Sequence, residues 1–172
     1  MKTLSCLASV LVVGGLVTAA VAAGPGGRHS IGGGAHYHKT VDDVKINDID
    51  SDGVGWYGVY QYRGSQAGAI EFDFEFMPDN FGGATNDVYA PQIYLISGKG
   101  LYGGVGIGWL YSDSEWADDP FYALRVGFNL ELASGVFLDI NGNYQFTKWD
   151  TDITRDLDTD TVTLGAALRI DL

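Results

Sequence analysis

The stretch "AIEFDFEFMP" at residues 69–78 holds the choice between two folds. Ile70, Phe72, Phe74 and Phe76 alternate with Glu71, Asp73 and Glu75. Successive side chains of an extended strand point to opposite faces, so this segment has an aromatic face and an anionic face. With the Phe face inward, the protein is a sheet in water. With the carboxylates inward, the surroundings are not water. The segment by itself fits either arrangement, and its neighbours decide.

No interval of the chain carries a helical period of about 3.6 residues. Eight segments of period-two character fall instead at about 29–39, 54–63, 68–77, 88–97, 101–111, 121–132, 135–147 and 161–172. Three of the connections are short, Gly-containing hairpin turns: "GSQA", "SGKG" and "ASG". The others are long and acidic: "TVDDVKINDIDSDG", "PDNFGGATND", "SDSEWADDP" and "DTDITRDLDTD". Long and short alternate strictly, which is the rhythm of an up-and-down meander with short turns on one rim and long loops on the other.

The faces of the later segments break the tie. Tyr122, Leu124, Val126, Phe128 and Leu130 oppose Ala123, Arg125, Gly127, Asn129 and Glu131. Val136, Leu138, Ile140, Tyr144 and Phe146 oppose Asp139, Asn141, Asn143 and Gln145. In the fifth segment the second face is Tyr102, Gly104, Gly106, Gly108 and Leu110. A solvated face has no use for a run of glycines, which weaken a strand. A narrow eight-stranded lumen has one, because small residues leave room for long side chains from other walls. The first face is hydrocarbon and aromatic throughout its centre. Trp56, Trp109, Trp116 and Trp149 fall at the long-loop rim with Tyr37, Tyr57, Tyr89 and Tyr111, as amphipathic rings do at membrane interfaces. The expectation is an all-β, eight-stranded antiparallel up-and-down transmembrane β-barrel. The competing expectation is a secreted, soluble, lipocalin-like barrel that binds a lipid on an inward Phe face.

The N-terminus agrees with export. Lys2 starts it, an apolar run follows, and "TAAVAAG" ends it with small residues, which is the layout of a signal peptide over residues 1–23. The barrel domain is then 24–172. Cys6, the single cysteine, lies within the leader, so the mature chain has no disulfide to hold it. A net charge of −12 argues against nucleic acid and against docking on anionic head groups.

With "GVGWYGVYQYR" and "LYGGVGIGWLY" added to the loop rhythm, the chain resembles the small eight-stranded outer-membrane barrels of Gram-negative bacteria. That group includes the OmpA transmembrane domain, OmpX, OmpW and related porin-like domains. The resemblance implies a cell outer-membrane location reached through the periplasm. It also implies contact with outer-membrane lipid and lipopolysaccharide, insertion by the outer-membrane assembly machinery, and a monomer without cofactor. It implies a structural or surface-interaction role rather than an enzymatic one, or else a narrow channel for small solutes. Such chains commonly end in an aromatic residue; this one ends "LGAALRIDL", with Leu172 in that place.

Inward acids must be paired, since a buried lone charge is costly. Glu71, Asp73, Glu75, Glu131 and Asp139 are therefore expected to form a lumen network with Arg63, Arg125 and Arg169. "DIDSDG" at 48–53 places Asp48, Asp50 and Asp52 at alternate positions, like the front of a calcium loop. The acid expected at its twelfth position is absent, because Val59 stands there, so only a diffuse divalent-cation site is allowed. His36 and His38 share one strand face and can donate two metal ligands. With no cysteine in the mature chain, the pair is not assigned as a metal site. Some barrels of this size modify lipid A through His and Ser; here no nucleophile with a positioned base is recognisable.

Overall fold

The computed structural model describes residues 27–40, 52–65, 68–78, 86–146 and 161–172. The strands are β1 (Arg28–Thr40), β2 (Asp52–Arg63), β3 (Gly68–Met77), β4 (Val88–Gly98), β5 (Leu101–Gly108), β6 (Tyr111–Ser112), β7 (Glu115–Trp116), β8 (Phe121–Ala133), β9 (Val136–Phe146) and β10 (Thr161–Asp171). Eight of them close a ring of antiparallel pairs: β1–β2, β2–β3, β3–β4, β4–β5, β5–β8, β8–β9, β9–β10 and β10–β1. Closure leaves the ring without an open edge, which is the condition for a sheet to cross hydrocarbon.

β6 and β7 are a small hairpin above the wall, where the sequence reading has only a loop. Tyr111 pairs with Trp116, and Asp113 and Ser114 both have left-handed φ, 54° and 67°. Two successive positive φ values give the twist of a tight two-residue hairpin turn. β5 accordingly stops at Gly108 rather than continuing to Tyr111, and Tyr111 rejoins β4 opposite Tyr89.

The polarity of the wall is inverted relative to a soluble barrel. On β3, Glu71, Asp73 and Glu75 are 2%, 3% and 1% exposed, whereas Phe72 and Phe74 are 48% and 55% exposed. The same alternation runs round the ring: Leu124, Val126, Phe128, Ile140, Leu164 and Leu168 stand outward. Apolar surface this continuous has no place in water. The lipocalin-like arrangement, with Phe inward, is thereby overturned, because the register of β3 sends its carboxylates to the lumen.

The inward glycines have a different tenant from the one expected. A Cβ on Gly106 would lie 2.4 Å from the Tyr94 ring, on Gly108 2.4 Å from Phe121, and on Gly127 2.3 Å from Tyr102. The missing side chains thus admit rings from the neighbouring strands, and Arg125 packs on one of them, Tyr94.

Candidate functional site

A hydrogen-bonded network fills the lumen. Near the short-turn rim, Arg169 on β10 donates from Nη1 to Glu71 Oε2 at 2.7 Å and from Nη2 to Asp139 Oδ2 at 2.6 Å. Gln61 on β2 donates to the same Glu71 oxygen at 2.5 Å. Glu71 Oε1 takes Arg125 Nη1 from β8 at 2.5 Å. One carboxylate on β3 is therefore clamped by guanidiniums from two other walls.

Arg125 is the hub. Its Nε donates to Asn143 Oδ1 at 2.5 Å, and its Cζ lies 3.7 Å from the centre of the Tyr94 ring. Its Nη2 lies 2.8 Å from Asp73 Oδ2, close enough for an ion pair but not aligned as a hydrogen bond. Asp73 is held by charge; neither of its oxygens has a hydrogen-bond donor among the described residues. A cation on an aromatic face within about 6 Å is favourable, more so when desolvated.

Toward the long-loop rim the network becomes one of amides and imidazoles. Asn143 Nδ2 donates to Asn141 Oδ1 at 3.1 Å and to Thr163 Oγ1 at 2.7 Å. Asn141 Nδ2 donates to Asp139 Oδ1 at 2.9 Å, an oxygen that also accepts from the Tyr102 hydroxyl at 2.8 Å. His36 Nε2 lies 3.0 Å from Asn141 Oδ1 and its Nδ1 2.8 Å from Glu75 Oε1, with the ring stacked on Tyr57 at 4.0 Å. His38 Nε2 reaches the same Glu75 oxygen at 2.7 Å. Gln92 donates to Glu75 Oε2 at 2.9 Å and accepts from the Tyr94 hydroxyl at 2.6 Å.

The residues expected from sequence separate into two groups. Glu71, Asp73, Arg125, Asp139 and Arg169 meet through the contacts above, while Glu75 meets the histidines instead of an arginine. Arg63 is half-buried at the short-turn rim, where it donates to the Gly98 carbonyl at 2.7 Å and joins the acids only through Gln61. Glu131 is not in the network, a correction to the expected set. It is exposed, beyond the lumen, where a bulge between Glu131 and Ala133 ends the regular register of β8. Asp48 and Asp50 lie outside the described residues, and Asp52 opens β2. Sequence reading missed Gln61, Gln92, Tyr94 and Tyr102 as members. Their signal was parity: each lies on the inward face of its strand.

The architecture is that of the small eight-stranded outer-membrane β-barrels. No family model matches the chain, and no curated protein does. Among solved structures, Neisserial surface protein A superposes with a TM-score of 0.60 at 12% identity, covering 86% of this chain and all of that one. The attachment invasion locus protein Ail of Yersinia pestis covers 85% of this chain and 97% of its own at 16% identity, with a TM-score of 0.45. OprG of Pseudomonas aeruginosa covers 88% and 96% at 12% identity, with a TM-score of 0.46. The likeness is one of fold.

Proposed function

We propose that this chain is a monomeric outer-membrane β-barrel that catalyses no reaction and acts as a structural element and interaction surface, presenting its acidic long loops outside the cell. The observation that carries this reading is the pairing of a hydrocarbon outer belt with a lumen filled by cross-strand ion pairs. The belt calls for a bilayer: side chains such as Phe74, Val126 and Leu164 are more than half exposed. A plug that crosses from β10 through β3 to β8 leaves recognition to the rims. Its lipid contacts are outer-membrane lipid and lipopolysaccharide, and the assembly machinery inserts it.

Fractionation of a Gram-negative host tests the reading. The protein is expected in the outer membrane, cleavable by external protease, and migrating differently before and after boiling. Recovery in osmotic-shock fluid without detergent would refute it. Reproducible single-channel steps in planar bilayers would replace it with a channel, and a change in lipid A mass on overexpression with an enzyme.

A further inference from the structure

The three donors His36 Nδ1, His38 Nε2 and Glu75 Oε1 lie within 4.8 Å of one another, come from two strands, and are buried. Hydrogen-bond polarity fixes what lies between them. Arg125 Nε can only donate, so Asn143 presents its oxygen to it and its amide nitrogen to Asn141. Asn141 must then turn its oxygen to Asn143 and His36, an orientation that its bond to the Asp139 carboxylate fixes a second time. His36 therefore donates from Nε2, and its Nδ1 faces a carboxylate oxygen 2.8 Å away, a contact that needs a proton or a metal cation between the two atoms. Glu71, Asp73 and Asp139 each meet a guanidinium, whereas among the described residues Glu75 meets the two imidazoles and Gln92.

We propose that His36 Nδ1, His38 Nε2 and Glu75 Oε1 are the protein ligands of a divalent transition-metal site, of the Zn²⁺ class, in the long-loop half of the lumen. One such ion supplies positive charge at the acid that no guanidinium meets, where all three donors converge. Two nitrogens and a carboxylate oxygen suit Zn²⁺, whereas Ca²⁺ needs six to eight oxygens. The surrounding contacts are those that ligands of a metal require. His36 donates its far N–H to an amide oxygen, and Gln92 holds the second Glu75 oxygen. Two glycines make room for the ligand side chains. A Cβ on Gly55 would sit 3.1 Å from Glu75 Oε1 and 3.2 Å from His38 Nε2, and one on Gly165 would lie 1.9 Å from His36 Cδ2. Metal bonds of about 2.0–2.1 Å spread tetrahedral donors to about 3.3 Å, so the present spacings of 2.7 and 2.8 Å open by about half an ångström. The ligands are buried, so loading accompanies closure of the barrel.

The test is refolding of the denatured full chain into detergent with ZnCl₂ or with EDTA, followed by dialysis and metal analysis. The expected result is about one Zn²⁺ per folded wild-type chain, a higher unfolding midpoint than the EDTA sample, and loss of both in His38→Gln. Folding of each sample is checked by unheated gel mobility. Should His38→Gln fail to fold, Co²⁺ in the wild type gives the readout, with tetrahedral visible absorption expected. A folded wild-type barrel with no zinc and no Co²⁺ band would overturn the proposal. Zinc retained in full by folded His38→Gln would also overturn it.

Discussion

Arg125 shows what a single residue does in this lumen. Its guanidinium satisfies Glu71, offsets Asp73, fixes Asn143 and covers Tyr94. Removing one partner of a buried ion pair leaves the other charged and desolvated, a loss of about 3–5 kcal/mol. Arg125→Leu is expected to lower stability by that amount in urea unfolding from lipid vesicles, and an unchanged midpoint would contradict the network. Arg28 provides the contrast. It is exposed and 3.8 Å from Asp171, so Arg28→Ala should change stability by less than about 1 kcal/mol. Glu131→Gln should be equally mild, since that side chain lies outside the plug.

At the scale of elements, each strand is a boundary between two media. Phe72 stands at the centre of β3's outer face. Arginine there faces hydrocarbon, so Phe72→Arg should cost about 2–4 kcal/mol, read as reduced refolding into vesicles. Labelling checks the same boundary: a membrane-confined maleimide should modify Phe74→Cys and spare Glu75→Cys. On β5 the glycine run is a packing device. Gly106→Ala places a methyl where the Tyr94 ring lies, displacing the surface on which Arg125 rests, and should cost about 1–3 kcal/mol by overpacking.

At the scale of the whole molecule, the buried ion pairs lie inside a closed wall, while among the described residues Asp87, Glu115, Asp118, Asp119 and Glu131 are exposed. Salt screens charges exposed to solvent, with a Debye length of about 3 Å at 1 M, and acts little on buried ones. The unfolding midpoint of the wild type is therefore expected to move little between 0.1 M and 1 M NaCl. A large fall would show that the lumen pairs are open to solvent. Because Cys6 is the single cysteine and no intramolecular disulfide can form, reducing agent should also leave the midpoint unchanged.

The sequence by itself determined the strand count, the alternation of long and short connections, and the parity that makes Glu71, Asp73, Arg125, Asp139 and Arg169 inward. Those are local properties: period two and turn chemistry repeat within a few residues. It did not determine which wall faces which. Glu75 on β3 lies 39 and 37 positions from His36 and His38 on β1, with nothing local that marks it as their partner, and Tyr102 meets Asp139 across 37 positions. Glu131 shares the inward parity of Arg125 and still pairs opposite Phe137, yet it stands near the end of β8, beyond the lumen. Shear and closure of the ring decide these pairings, because they set the height at which each inward residue enters the lumen, and no local pattern encodes that height. For "AIEFDFEFMP" the solvent of each face was legible from its neighbours; the division of its acids, two with arginine and one with the histidines, came only from the closed barrel.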